Sequence, residues 1–260
     1  MAGSRAAARP RRRAALGYSA IAITDECSVA GVVRAHGEAK KHGLQLLPGA
    51  EFLVQCQSPT LLPFRLVVLP HNCEGWGNLC EFITQAKAAG DIVEKGSYSV
   101  TPESDFSRLQ DCEVILCIPQ GAIDTEAACA HISWLKSIFI FNSRLTPSPP
   151  GGRWDGGARD SSYVSALAPS PPSPSGGGSQ GQPSPRLWLA VELLQGLDDA
   201  LRLQQLQRLS QQSGVPLVAC GGVLMHVRSR KPLHDVLTAV GMGCTVHDCG
   251  FALAPNAEAH

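Results

Sequence analysis

The chain has 260 residues, with 22 Lys and Arg against 22 Asp and Glu, and 44% of it is hydrophobic. That length suits one large α/β domain or two small ones, and the apolar content is enough for a sizeable core. The zero net charge gives no global basic field for nucleic acid, and no apolar run reaches the roughly 18–20 residues that span a bilayer.

The first 13 residues, MAGSRAAARPRRR, hold five arginines and no acid. An organelle transit peptide, a disordered basic start and a mis-assigned first exon all fit that composition. No apolar signal-peptide core follows. Ten cysteines are many for this length, and none forms Cys-x-x-Cys, so a zinc ribbon or thioredoxin-type motif is absent. Cys112, Cys117 and Cys220 sit in or beside apolar runs, where cysteine acts as a small hydrophobe. Reduced thiols in an intracellular compartment are expected.

From residue 14 onward, strand-like and helix-like runs alternate. SAIAIT (19–24) reads as a buried strand. VAGVVRAHGEAKKHG (29–43) reads as a helix, with Ser28 as N-cap and Gly43 just past its end. LQLLPGAEFLVQ (44–55) reads as strand, turn, strand, and FRLVVLP (64–70) as another strand. GWGNLCEFITQAKAAG (75–90) places Leu79, Phe82, Ile83 and Ala86 at helical spacing. EVILCIP (113–119) is a strand and EAACAHISWLKSI (126–138) a helix. RLWLAVELL (186–194) is a strand, and the helix 198–214 ends at Gly214. VPLVACGG (215–222) runs as a strand into a glycine turn, and KPLHDVLTAVGMG (231–243) is a last helix. Such alternation implies parallel strands with crossover helices, in a barrel or an open α/β sheet.

One segment breaks the pattern. Of the 43 positions from Ser143 to Pro185, 27 are Pro, Gly or Ser. Such a stretch buries too little apolar surface to offset its ordering entropy. It reads as a disordered insertion (143–185) within one domain (14–260). A linker between two domains and a retained intron are the alternatives.

In parallel α/β folds, chemistry gathers at the C-terminal ends of strands. Asp25 and Glu26 follow the first strand. Glu51 lies in a Gly-Ala-Glu-Phe corner, Glu192 in AVELL, and His226 after CGGVLM. Carboxylates and histidine on one rim suit divalent metals, which activate water for phosphoester hydrolysis. Each also has a plainer reading. Asp25 can be a turn residue, and Glu192 a satisfied half-buried carboxylate. His36 and His42 lie on a polar helix and read as solvated. No two histidines are spaced as His-x-His or His-x-x-x-His.

Three stretches carry a resemblance. ALGYSAIAITDECSVAGVVRAHGEAKKHGLQLLPGAEF (15–52) resembles the polymerase-and-histidinol-phosphatase (PHP) domain that begins bacterial C-family DNA polymerases, and the Thr-Asp-Glu-Cys-Ser wording is most similar to the error-prone, translesion members. EGWGNLCEFITQAK and EKGSY resemble the family's next segments. MHVRSRKPLHDVLTAVGMGCTV with GFALAPNAEAH resembles its end. The resemblance implies a distorted (β/α)7 PHP-type barrel, here incomplete at the N-terminus. It also implies a metal cluster at the C-terminal rim in active members, a site that many polymerase members have lost.

Carried over residue by residue, Asp25 stands at a family ligand position and Glu51 at that of the ligand glutamate. Glu26 stands where active members often carry histidine. The departures are several. The first strand with its His-x-His signature is missing. The late motif Gly-Asp-Val-His-Met-His reads GGVLMH (221–226), so Gly222 and Leu224 replace two donors and only His226 remains. Arg65 precedes the LVVL strand at a position where active members can offer histidine, and a cation there repels a metal cluster. The expected set is vestigial: Asp25, Glu51 and His226, with Glu26 and Glu192 weaker. No cofactor is expected, and Mn or Zn are the ions such a remnant would take.

The family's enzyme is a DNA-directed DNA polymerase of replication and repair. The sequence stops at His260, before the family's palm, so this chain alone is expected not to polymerise. The resemblance implies other polymerase domains or subunits as partners and DNA only indirectly. It also implies the cytoplasm if the source is bacterial. A metal-dependent phosphoesterase is a second reading. A non-enzymatic interaction module, offering PSPPSPS to a polyproline-binding partner, is a third.

Overall fold

The structure is a computed structural model and describes residues 10, 16–56, 63–90, 96–109, 111–121, 123–139 and 186–259. The expected basic start (1–13, apart from residue 10) and the expected insertion (143–185) lie outside these residues. Six strands are present: β1 (Ala20–Glu26), β2 (Gln45–Val54), β3 (Phe64–Pro70), β4 (Cys112–Cys117), β5 (Leu187–Val191) and β6 (Leu217–Ala219). Among the described residues, five α-helices connect or follow them: α1 (Val32–Lys41), α2 (Cys73–Ala88), α3 (Thr125–Phe139), α4 (Asp199–Ser213) and α5 (Lys231–Met242). The fold is mixed α/β. The strands lie side by side in chain order and curl into a half-barrel.

The expected all-parallel sheet needs correction at β3. This strand runs antiparallel to both β2 and β4, while β1–β2, β4–β5 and β5–β6 are parallel. Only residues 55–63 separate β2 from β3. A parallel crossover needs a dozen or more residues, so this connection can only reverse the chain. Among the described residues there are thus six strands, with one reversed, where seven alternating β/α units were expected.

The turn expected inside 44–55 is absent. β2 runs unbroken through Pro48 and Gly49, because pairing with β3 begins only at Ala50 opposite Val68. A missing donor at Pro48 therefore breaks no ladder on that side. Gly49 serves close approach: a Cβ there would lie 2.6 Å from both Leu69 Cδ2 and the Val68 carbonyl oxygen. Helix α1 also starts one turn later than expected. Its N-cap is Gly31, and the Ser28 hydroxyl instead accepts a hydrogen bond from the Ala30 amide at 3.2 Å.

Strand alternation sorts the side chains onto two faces. The outer face carries Phe52, Val54, Phe64, Leu66, Val68, Leu116 and Leu189. It packs under α2, α3 and α4, which contribute Leu79, Phe82, Leu135, Leu206 and Leu209. Phe52 meets Phe82 edge-on at 5.1 Å, and Phe106 meets Trp134 in the same way at 5.1 Å. A separate outer layer joins Ile21 and Ile23 of β1 to Ala35 and Ala39 of α1. The inner, concave face is plugged by Leu69, Ile115, Cys117 and Ala190, with Val67, Trp188, Val218 and Cys220 beside them. No helix of the described residues is long and apolar enough to cross a membrane.

Candidate functional site

Above the apolar plug, at the C-terminal ends of the parallel strands, the inner face turns ionic. Glu26 and Glu51 are paired across β1 and β2. Arg65 enters from the reversed strand β3, paired with Leu53 on one side and Cys117 on the other. Glu192 follows the last residue of β5, and Gln120 lies just past β4. The reversal of β3 is what brings a residue from the start of that strand to the same rim as the ends of the others.

Arg65 sits between half-buried Glu51 and buried Glu192. One guanidinium nitrogen donates to both Glu51 oxygens, at 3.3 and 3.2 Å. The other donates to Glu192 Oε2 at 2.7 Å. Gln120 Nε2 donates to that same Glu192 oxygen at 3.3 Å. The side chains are 32%, 26% and 6% exposed for Arg65, Glu51 and Glu192, so the network is largely withdrawn from solvent. Burial holds the Glu51 carboxyl above its ordinary value, although Arg65 pulls the other way. Burial would lower the Arg65 pKa, but Glu51 and Glu192 outweigh it and hold the guanidinium more firmly charged than usual.

Arg65, Gln120 and Glu192 of this network line a cavity of about 440 Å³. Its walls are mostly apolar, from Leu53, Phe64, Leu194 and Leu224, and from the segment Ala254–Ala259. That segment is held in place by Asn256, which donates to the Leu194 carbonyl at 2.7 Å, and by the Ala259 carbonyl, which accepts from Leu224 and Met225 amides.

The other expected residues lie elsewhere. Glu26 is on the inner face but accepts a hydrogen bond from the Tyr98 hydroxyl at 2.8 Å, and that hydroxyl also accepts from the Leu53 amide. Burial is the main reason the Tyr98 hydroxyl is held well above its ordinary pKa. Asp25 pairs with Ala50, an outer-face residue, and alternation turns it away from Glu26. His226 is half-buried beyond the cavity and is not among its lining residues. Gly222 has φ +49°, and a Cβ there would lie 3.1 Å from Glu192 Oε1.

The donor set does not fit a metal ion. Glu51 and Glu192 are the two expected carboxylates that share a site, and a guanidinium already joins them. Among the described residues, no group of three His, Cys, Asp or Glu is arranged to hold a metal. A divalent ion at this point would stand against the Arg65 charge in a poorly solvated cleft.

Two supporting residues escaped the sequence reading. Gln120 completes the Glu192 contacts. Arg202 of α4 is buried, and its guanidinium donates to the carbonyls of Ile118 (2.8 Å), Pro119 (3.0 Å) and Gly121 (3.3 Å). This fixes the loop that presents Gln120. Burial lowers the Arg202 pKa from its ordinary value. The available signal was its spacing: positions 202, 206 and 209 share the buried stripe of α4, and a charge on such a stripe needs acceptors.

A family comparison matches residues 8–136 to the PHP domain. Residues 8–136 carry a PHP domain. Its relatives include the error-prone DNA polymerases of Dechloromonas aromatica (38% identical over 254 residues, 96% of this chain and 19% of the relative) and Methylococcus capsulatus (36% over 248 residues, 95% and 18%). That of Bordetella parapertussis is 35% identical over 249 residues, 96% of this chain and 20% of the relative. The chain thus spans about a fifth of the length of the curated relatives it matches. A solved Bifidobacterium adolescentis structure, described as a metal-dependent phosphoesterase, overlaps 50% of this chain and 68% of its own at a TM-score of 0.37 and 11% identity, too slight a likeness to bear on function. At the rim, Arg65 binds Glu51 of the matched region to Glu192 beyond it.

Proposed function

We propose that this PHP domain is a non-hydrolytic module of the error-prone DNA polymerase type, and that it works by packing against further polymerase domains in DNA replication or lesion bypass. The observation that carries the reading is Arg65. Its guanidinium ties Glu51 to Glu192 and supplies from the protein the positive charge that a metal would bring. The rim then stabilises the half-barrel instead of activating water. Asp25, Glu26 and His226 are remnants that share no coordination sphere with this pair, and Mn or Zn would bind weakly at most.

Support for packing against other domains comes from α5. Leu233, Val236 and Val240 lie along one side of the helix and are 48%, 48% and 71% exposed, and Phe251 nearby is fully exposed. Such a stripe on an amphipathic helix is a surface that another domain covers. The relatives are about five times as long as the matched region, so they contain the chain that could cover it.

The test is phosphodiester hydrolysis by the purified chain with added Mn(II) or Zn(II). The expected result is no turnover, in the wild type or in Glu192→Gln. Metal-dependent turnover that Glu51→Gln or Glu192→Gln abolishes would replace this reading with the phosphoesterase one.

A further inference from the structure

Two cysteines beyond α5 play no part in the rim. The helix ends at Gly243 in the left-handed conformation (φ +67°), and the Cys244 amide bonds back to the Ala239 carbonyl at 3.1 Å. The chain then reverses through Thr245–Asp248. The Asp248 amide donates to the Thr245 carbonyl at 3.0 Å, and the Thr245 hydroxyl donates to the Asp248 carboxylate. Residues that flank a closed turn face each other. Here they are Cys244 and Cys249, whose Sγ atoms stand 3.5 Å apart. The Cys249 thiol also donates to the Thr245 carbonyl at 3.3 Å. A disulfide needs the sulfurs at about 2.05 Å, so an approach of ~1.5 Å closes the bond.

We propose that Cys244 and Cys249 are a redox-active dithiol, oxidised by hydrogen peroxide to an intramolecular disulfide. Cys244 is half-buried and Cys249 almost fully buried, so the peroxide reaches Cys244 first. The Cys244 thiolate attacks one peroxide oxygen and the O–O bond breaks. The departing hydroxide takes a proton and leaves as water, and Cys244 becomes a sulfenic acid. The Cys249 sulfur, giving up its proton, then attacks Cys244 Sγ. The S–S bond forms, the S–O bond breaks and a second water leaves. Two thiols lose two electrons and two protons, and one peroxide becomes two waters. Burial first, then the Cys244 thiol and the charges of Asp248 and Asp235, push the Cys249 thiol above its ordinary pKa. The link would fasten the root of the segment 250–259, whose residues Ala254, Pro255, Asn256 and Ala259 wall the cavity.

The test uses the full reduced chain, treated with a small excess of hydrogen peroxide and then with iodoacetamide. Cys244 and Cys249 fall in one tryptic peptide, which begins at Lys231. In the monomer this peptide is expected to escape alkylation and to weigh two hydrogens less than the dithiol. Cys249→Ser should leave Cys244 as a sulfenic acid that dimedone captures, and Cys244→Ser should leave Cys249 open to alkylation. The exposed Cys73 gauges the oxidant. If both cysteines are still alkylated once Cys73 has reacted, or if they link only between molecules, the proposal fails. The peptide measurement on the unmodified chain stands whether or not the variants fold.

Discussion

The two ends of the concave face solve the same problem in different ways. At one end, near the start of β4, a single buried carboxylate, Glu113, accepts a hydrogen bond from Trp188 Nε1 at 2.7 Å, with His71 Nδ1 3.6 Å away. At the other end, Glu51 and Glu192 share one guanidinium. A lone buried anion can be satisfied by a neutral donor and an ionisable neighbour. Two anions on one floor repel each other, and only a positive charge between them makes the pair tolerable. In a metal-loaded rim that charge is an ion, which comes and goes. Here the charge between Glu51 and Glu192 is covalently part of β3.

This contrast orders the expected effects. The largest follows Arg65→Met, which keeps the volume and removes the charge, leaving Glu51 and Glu192 unpaired. Because the network is partly exposed, the expected loss is about 2–4 kcal/mol, below the full value for a buried pair. Chemical denaturation at neutral pH measures it. A loss under about 0.5 kcal/mol would show that Arg65 is not what holds the rim.

Next comes the other end. Trp188→Phe removes the donor to Glu113 while keeping most of the ring, so a buried carboxylate loses a hydrogen bond of 2.7 Å and keeps only His71 at 3.6 Å among its described partners. The expected cost is about 1–3 kcal/mol. If it equals or exceeds that of Arg65→Met, the distinction between a satisfied anion and a bridged pair fails.

Glu51→Gln should have a smaller and pH-dependent effect. The folded pKa of Glu51 is raised, so the fold favours its protonated form. Its contribution is fully favourable below the ordinary value of 4.5 and is lost as pH rises through the higher folded value. At neutral pH the glutamine variant should therefore match or slightly exceed the wild type. The difference should vanish when both are compared below the carboxylate range. A variant much less stable than the wild type at pH 7 but equal at low pH would give the opposite sign, and with it a favourable Glu51 charge.

The smallest effect on folding is expected at Val240→Glu, on the exposed side of α5. Denaturation should show a change within about 0.5 kcal/mol. A pull-down with the remaining domains of an error-prone polymerase relative should nonetheless lose binding. Unchanged binding would remove α5 as the packing surface.

Much of the outer layer could be read from the sequence, and much of the rim could not. Gly43, Gly214 and Gly243 all take positive φ next to helix ends, as a glycine after an apolar helical run suggests. The helices 75–90, 126–138, 198–214 and 231–243 are found within two residues of those limits. The direction of β3 was hidden, because an alternating strand reads the same whether its neighbours are parallel or antiparallel. It became legible only through the short connection 55–63. The ends of β2 and β5 pointed to Glu51 and Glu192, and Arg65 stood out as a cation near them. That it bridges the two depends on β3 being reversed, since a parallel β3 would carry Arg65 to the far end. The stripe 202, 206 and 209 marks Arg202 as buried but not its acceptors, which are backbone carbonyls, and Gln120 was hidden because its partner is a side chain far away in sequence.

On the proposed reading, the Arg65 guanidinium takes the place of a metal between Glu51 and Glu192. Mn(II) favours carboxylate oxygens, and its electron paramagnetic resonance signal separates free from bound ion. Titrated with Mn(II) at neutral pH, the wild-type chain is expected to leave the ion free at stoichiometric concentrations. Bound manganese at one or more equivalents, released by Glu51→Gln or Glu192→Gln, would contradict it.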